Sequence, residues 1–193
     1  MSCGQSIFVT PIGATNKVLW SVSNIFSIFE NKAGTKTFIR FVGAKETIEV
    51  VESLTAIFNQ QNTTGNNLNM VLTTNASTSR RVIYFTHHMY RITESGEGAK
   101  ITFKPGYATV YTVETLADIY AYQGAAGAKN LGMVFCTRAS DSANFILFSC
   151  DIRSIYPYPL LTGAVTGAKI SFESDQEIIT TQTPAQLYAA QPL

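Results

Sequence analysis

His87 and His88 are the two histidines of the chain, and adjacent imidazoles are candidates for metal binding or general base catalysis. The pair lies in an apolar run whose composition is typical of a β-strand. Because successive side chains of a strand point to opposite faces, the two rings are not expected to converge on one metal ion. We therefore expect a structural or solvent-facing pair rather than a catalytic or metal site.

Glu173, Asp175 and Glu177 alternate along the chain, a spacing that would place three carboxylates on one face of a strand and suit a cation. They lie at a predicted turn before a strand, where acidic side chains are usually solvated. The rest of the sequence has no equivalent triplet at the corresponding places. A solvated turn is therefore the favoured interpretation, and no metal site is predicted.

Cys3, Cys136 and Cys150 are odd in number and widely spaced, which argues against a disulfide framework or a metal site. They are predicted to be reduced, buried, small hydrophobic residues.

Residues 124–129 (GAAGAK) superficially match a phosphate-binding loop but lack its final Gly-Lys-Ser/Thr order and precede a strand. The sequence also lacks the Gly-x-Ser-x-Gly pattern of a nucleophile elbow. We therefore expect no enzyme, no catalytic residue, no cofactor and no small-molecule substrate.

The surface is expected to be rich in neutral polar side chains, because 14% of the 193 residues are charged against about 25% in a typical globular domain. Such a surface is common in proteins that sit inside assemblies, although a lightly charged free monomer is equally compatible with it. The net charge of +1 predicts no electrostatic attraction to nucleic acid. The N-terminal sequence does not have the pattern of a signal peptide, and no run reaches the roughly 18 apolar residues of a membrane span. We expect no membrane partner.

The elements that must position these side chains follow a pattern that occurs three times along the chain. Apolar runs begin at Ile7, Met70 and Met133, with a spacing of 63 residues each time. Three further segments of similar apolar character follow each of these runs in the same order. An internal repeat of this kind indicates a repeated structural unit, and it divides the chain into residues 1–64, 65–128 and 129–193.

Each copy has the two-residue periodicity of β-strands. The third run reads KTFIRF, AKITF and AKISF, and a Gly-containing turn precedes it in every copy. The second run is long for one strand, and polar residues interrupt it. The interrupting residues are Ser23 and Asn24, His87 and His88, and Cys150 and Asp151. We interpret each interruption as a kink or bulge within one strand.

A short helix is predicted at the end of each copy. Thr115 and Asp118 form a Thr-x-x-Asp capping arrangement. Thr183 precedes a proline and, three residues on, Gln186, and Ser53 supplies the cap of the first copy. The predicted fold is therefore α+β, mostly β, with three tandem β-β-β-β-α modules. Because about 60 residues form only a small private core, we expect the modules to pack with pseudo-three-fold symmetry, with a curved row as the alternative.

One apolar stretch breaks the third copy at a place where the other copies have a short turn. It consists of Tyr156, Pro157, Tyr158, Pro159, Leu160 and Leu161. Tyrosine-rich surfaces are common in protein interfaces. We predict that this stretch is a contact loop, and the alternative is that it covers the core of a neighbouring module.

In its general character, the chain resembles the capsid auxiliary, or decoration, proteins of tailed bacteriophages. The shared features are a triplicated β-rich module, a low charge and a surface rich in Thr, Asn and Ala. The resemblance implies a structural virion protein that is made in the host cytoplasm and binds other virion proteins, above all the major capsid protein, on the capsid surface. Three fused copies would allow a monomer to occupy a three-fold site of the shell. A ring component of the phage neck or tail, or another assembly component, is the close alternative.

A different class of function is a DNA-binding regulator, because the strand-strand-helix module also resembles the LytTR class of DNA-binding domains. That class needs basic residues on an exposed loop or edge. Arg80 and Arg81 are the only basic doublet, and no copy is a basic module. We therefore expect no nucleic-acid partner.

Overall fold

The computed structural model describes residues 5–63, 69–122, 132–159, 164–172 and 176–189, and these residues are mostly β, with several sheets and three short helices. The strands are β1 (Ser6–Val9), β2 (Val18–Ser21), β3 (Ile25–Glu30), β4 (Thr37–Phe41), β5 (Thr47–Val50), β6 (Met70–Thr74), β7 (Arg81–Phe85), β8 (Met89–Ser95), β9 (Gly98–Phe103), β10 (Val110–Thr112), β11 (Met133–Thr137), β12 (Asn144–Phe148), β13 (Ile152–Tyr158), β14 (Gly167–Phe172) and β15 (Glu177–Thr180). The helices are α1 (Leu54–Thr63), α2 (Leu116–Ala121) and α3 (Pro184–Ala189). We call β1 to α1, β6 to α2 and β11 to α3 the first, second and third segments.

In the described residues every segment has five strands and one helix in this order, one strand more than the predicted β-β-β-β-α unit. A 3₁₀ turn splits the long second run into two strands at Val22–Asn24, Thr86–His88 and Ser149–Asp151. The polar interruptions were therefore correctly located but are not kinks within one strand. The chain leaves one sheet at each turn and enters another: β7 and β8 belong to different sheets, and so do β12 and β13.

The sheets link each segment to the next one. Two five-stranded antiparallel sheets have the orders β5-β4-β3-β7-β6 and β10-β9-β8-β12-β11, so each contains strands of two segments. The remaining strands form the pair β1-β2 and the three-stranded sheet β13-β14-β15. In the described residues β2 and β13 are not neighbours, so the third segment does not pair with the first. Among the described strands, pairing is serial, as in a row, and it lacks the third contact that the expected pseudo-three-fold packing needs.

The buried cores show why the segments pack together. Leu54 and Ile57 of α1 share one cluster with Ile83 and Phe85, which belong to the second segment. The cluster around α2 likewise includes residues of β12. Among the described residues, the cluster around α3 contains members of the third segment alone. Two of the three cores are therefore completed by the following segment, as expected for units too small to bury a core alone.

The predicted helix starts are confirmed. Thr115 and Asp118 form a reciprocal capping box at α2, and Thr183 and Gln186 make the same two bonds at α3. The hydroxyl of Ser53 accepts a hydrogen bond from the amide three residues on, at 3.2 Å. Helix α1 has 10 residues, so it is longer than the two turns expected from the sequence.

No helix of the described residues is long and apolar enough to cross a membrane.

A side chain located after the fifth strand binds the backbone amide at the end of the first strand in every segment. The three pairs are Glu52 with Thr10, Glu114 with Thr74, and Gln182 with Thr137, at 2.7, 2.7 and 2.9 Å. We call this contact the latch. It satisfies an amide at a strand end, where no further ladder partner follows.

Burial alone would raise the pKa of Glu52, but the bonds from Thr10 outweigh it and hold the pKa below the ordinary 4.5. The negative charge of Glu52 therefore contributes stability that is present above that pH and is lost as the pH falls through the lowered pKa. We expect Glu52→Ala to lower the free energy of unfolding by about 1–3 kcal/mol, because an amide loses its partner. Urea denaturation at neutral pH measures this loss.

Glu52→Gln is the matched control, because Gln182 makes the same bond in the third segment. We expect it to cost less than about 1 kcal/mol, since a neutral amide oxygen still accepts the bond. If Glu52→Gln destabilised the protein as strongly as Glu52→Ala, the latch would not act through this hydrogen bond.

Candidate interface at the terminal strands

Neighbouring segments are joined by antiparallel pairing of the third strand of one with the second strand of the next. We call this pairing a junction. In the first junction Ile28 of β3 lies opposite Ile83 of β7, and in the second Ile92 of β8 lies opposite Ile146 of β12. All four isoleucines have no exposed surface. Each junction therefore has a central pair of aliphatic side chains that is completely removed from water.

The strands at the two ends of the row, β2 and β13, lack such a partner, and we call them the terminal strands. In the described residues β2 pairs with β1 alone and β13 with β14 alone. Leu19 lies opposite Phe8, as Ile83 lies opposite Leu72. Leu19 therefore occupies the central position of a junction strand, yet it is 64% exposed. The sequence did not single out Leu19, although its alignment with Ile83 was the available signal.

Strand β13 is the matching edge at the other end. Ile155 lies opposite Ile170 of β14, as Ile92 lies opposite Ile101 of β9. Ile155 is only partly buried, whereas Ile92 is fully buried. The next residue, Tyr156, is 47% exposed. This edge has the apolar character of a junction strand, and no strand of the described residues covers it.

The predicted contact loop lies on this edge. Tyr156, Pro157 and Tyr158 are the last residues of β13 and are exposed, so this half of the stretch is a strand rather than a loop. Pro159 follows the strand and is partly buried. The predicted contact residues Leu160 and Leu161 lie outside the described residues. Tyrosines on an unpaired edge offer both ladder groups and large side chains to a partner.

Aromatic side chains cross both junctions next to the paired strands. Phe26, just after the first 3₁₀ turn, stacks on Tyr107 of the second segment with ring centroids 4.1 Å apart and is 5.2 Å from the Phe103 ring. Tyr90 of the second segment lies 6.1 Å from the Phe172 ring of the third and donates a hydrogen bond to Gln176. Each junction thus combines a strand ladder with an inserted ring.

The 3₁₀ turns also contact the preceding segment. His88 places its Nε2 atom 3.0 Å from the carbonyl oxygen of Ile25, across the first junction. At the second junction Lys104 and Asp151 form an ion pair at 2.9 Å. The rings of His87 and His88 have centroids 4.0 Å apart. The prediction that they point to opposite faces was therefore wrong, because the residues form a turn and not a strand.

The environment of His87 predicts an acid-sensitive fold. Burial, helped by the charges of His88 and Lys104, lowers the pKa of His87 from 6.5 to about 4. In the unfolded chain His87 is protonated as the pH falls below about 6.5, whereas in the folded chain it is protonated only below about pH 4. Stability is full above this window and decreases as the pH falls through it. We expect a loss of about 1–2 kcal/mol, less than the full linkage value because the ring is only partly buried.

His87→Asn isolates this effect from that of the acidic residues. Urea unfolding of the wild type and the variant at pH 6.5 and at pH 4 brackets the window. We expect the stability loss of the variant to be smaller by about 1–2 kcal/mol. Equal losses in the two proteins would show that His87 does not titrate abnormally.

The two cysteines of the described residues, Cys136 and Cys150, differ in burial. Cys136 is buried, which raises its pKa to about 12 and makes the thiol unreactive, as the sequence predicted. Cys150 is exposed on the third 3₁₀ turn, so the prediction of burial was wrong for it. Cys3 lies outside the described residues. No cluster of three or more His, Cys, Asp or Glu side chains able to hold a metal ion occurs in the described part of the chain.

Comparison with protein-family models, with curated proteins and with solved structures finds no match for this chain. Its function is therefore inferred from its own geometry. The features that stand out are the two uncovered terminal strands, which carry the same apolar positions as the strands buried in the junctions.

Proposed function

We propose that the chain consists of three copies of one module, each with five strands and a helix, and that the module is built to pair with its own kind. The latch supports this, because it joins Thr10, Thr74 and Thr137 to the same place in each segment. This alignment places Ser6, not Ile7, with Met70 and Met133. The boundaries at residues 64 and 128 remain compatible with it.

We propose further that the protein is a structural subunit of a large protein assembly, most specifically a virion protein of the tailed-phage type. The observation that carries this proposal is the pair of uncovered terminal strands, with Leu19 64% exposed on one and Tyr156 47% exposed on the other. An unpaired edge with apolar side chains is a ready template for another strand. A low content of charged residues, 14%, suits a surface that meets partners rather than water.

The serial row favours one form of this function over another. In a monomer that occupies a three-fold site, the first and third modules would contact each other in the same way as the first and second modules and the second and third modules do. Such a contact would cover β2 and β13, which are uncovered in the described residues. A subunit of a neck, tail or shell assembly, in contact with neighbours at both ends, uses these edges directly. Other virion proteins, including the major capsid protein, remain the expected partners on the particle.

The location of the chain in cells that produce it tests this function. A lysate is separated by density-gradient sedimentation, and the chain is quantified in each fraction by mass spectrometry beside the most abundant shell protein. We expect the chain to follow the particles at a fixed number of copies per particle and to remain there after a second gradient. Presence of the chain only in slowly sedimenting fractions would contradict a structural role.

Binding to duplex DNA is the comparison that separates the two classes of function. A regulator would bind DNA with an affinity that decreases steeply as salt increases. We expect no such binding from a chain with a net charge of +1. Salt-dependent binding to duplex DNA together with absence from particles would replace the structural proposal with the regulatory one.

A further inference from the structure

We propose that the terminal strands of neighbouring copies of this chain pair with each other, so that β13 of one copy and β2 of the next form a junction like the two inside the chain. This inference rests on the proposed structural function and names its partner, a second copy. The chain already contains this contact twice between its own segments, and the proposed junction continues the same row.

The internal junctions fix the register of the proposed contact. Leu19 corresponds to Ile83 and Ile146 through its position opposite the first strand of its segment. Ile155 corresponds to Ile28 and Ile92 through its position opposite the fourth strand. The central pair of the new junction is therefore Leu19 with Ile155. The flanking pairs are Trp20 with Ser154, and Val18 with Tyr156.

The third core is the one that such a contact would complete. In the first core Leu54 and Ile57 are fully buried together with Ile83, which the following segment supplies. In the described residues no further segment packs against the third core, and its residues Ile155 and Ile178 are only partly buried. Strand β2 of another copy would cover this side as β7 and β12 cover the first two cores. Apolar surface of both copies would then be buried in the contact, which favours association.

Two differences, at Ser21 of β2 and Pro157 of β13, make the proposed contact weaker than the internal junctions. Ser21 pairs with Ser6 at the position where Phe85 pairs with Met70, so the edge of β2 is less apolar. Pro157 occupies the position that Glu30 has in the first junction, because each residue comes directly after the aromatic member of a flanking pair. Glu30 forms an ion pair with Arg81 at 3.5 Å. A proline has neither this charge nor an N–H group for the ladder.

These differences have a physical consequence for assembly. A junction of full strength at both ends would make the chain associate without control, which native proteins avoid at their strand edges. A weakened junction leaves the chain monomeric when dilute and lets copies add head to tail when they are concentrated on a particle. Because the two contact surfaces differ, the contact is heterologous, and it forms a ring if the rotation closes and a filament if it does not.

Disulfide cross-linking between two variants tests the register directly. Val18→Cys is mixed with Tyr156→Cys under oxidising conditions, with Cys3 and Cys150 replaced by Ser. Residues directly opposite each other in an antiparallel pair have Cβ atoms about 4.5–5.5 Å apart, which a small shift brings within reach of a disulfide. We expect a covalent dimer in the mixture and almost none in either variant alone. The matched control is Val113→Cys with Tyr156→Cys, because Val113 is 58% exposed but lies outside the terminal strands.

A yield in the Val18 mixture no greater than in the Val113 mixture overturns the proposed pairing. Sedimentation velocity over a concentration series provides a second measurement that does not depend on new cysteines. We expect the average mass of the wild type to rise with concentration and Leu19→Lys to need at least about tenfold more protein for the same rise. Purely monomeric wild type at every concentration overturns the inference as well.

The outcomes also separate this inference from the proposed function. A chain that follows virus particles in the gradient but shows no β2–β13 cross-link keeps its structural role and loses the head-to-tail contact. A chain that forms the cross-link in solution but is absent from particles keeps the contact and loses the virion role.

Discussion

Ile146→Ala is expected to lower the free energy of unfolding by about 2–5 kcal/mol, the usual cost of deleting a large aliphatic side chain from a core. Ile146 has no exposed surface, lies opposite Ile92 in the second junction and packs in the cluster around α2. Its removal leaves a cavity that the ladder on both sides prevents from collapsing. Urea denaturation of the dilute protein measures the loss.

The same change at the corresponding terminal position is the control. Leu19→Ala should alter the stability of the dilute monomer by less than about 0.5 kcal/mol, because the side chain is 64% exposed there. Ile83→Ala at the first junction should resemble Ile146→Ala, since Ile83 is also fully buried. A large loss in Leu19→Ala at low concentration would mean that β2 is already covered within the chain, and the open row would be wrong.

Local features of the sequence predicted their structures well. The capping box of Thr115 and Asp118 depends on four consecutive residues, so no distant contact is needed to decide it. The short strands β9 and β14 were equally clear from their alternation and the turns before them. The mostly β character of the fold followed from such short-range patterns.

The turns at His87 and His88 could not be read from periodicity. A 3₁₀ turn of three residues interrupts an apolar run in the same way as a bulge does. The difference depends on tertiary structure, because β8 lies in a different sheet from β7, between β9 of its own segment and β12 of the next. The paired rings, 4.0 Å apart, are therefore a result of tertiary structure.

The candidate interface was only partly predictable for a related reason. The tyrosines after Ile155 were recognised from their composition, whereas Leu19 lies in an ordinary strand pattern and looks like Ile83 and Ile146. Whether such a residue is buried depends on whether another segment follows or precedes it in the row. The proposed alignment of the three copies places Ser6 rather than Ile7 with Met70, because apolar letters match in either register whereas the latch with Glu52 favours one.

Gly98→Ala is expected to lower the free energy of unfolding by about 3 kcal/mol or more, at the upper end of single substitutions. A Cβ atom at Gly98 would lie 2.0 Å from the carbonyl oxygen of Thr112, which is backbone and cannot rotate away. Strand β10 would have to move from β9, which breaks the pairing of Thr112 with Ala99. Gly167 is in the same situation, with the carbonyl oxygen of Thr180 at 2.1 Å. Thermal unfolding of both variants measures the effect.

Gly96→Ala separates this steric effect from the loss of backbone freedom. Gly96 has a φ of +60° and nothing within 4 Å of an added Cβ, so its cost is conformational only and should be about 1–2 kcal/mol. Gly98 is not in the left-handed region, so an alanine there meets no strain apart from the contact with β10. We therefore expect Gly98→Ala to be clearly the more destabilising of the two. The reverse order would mean that β10 can move away freely, and then the latch of Glu114, which follows β10, would not hold the second segment in one fixed arrangement.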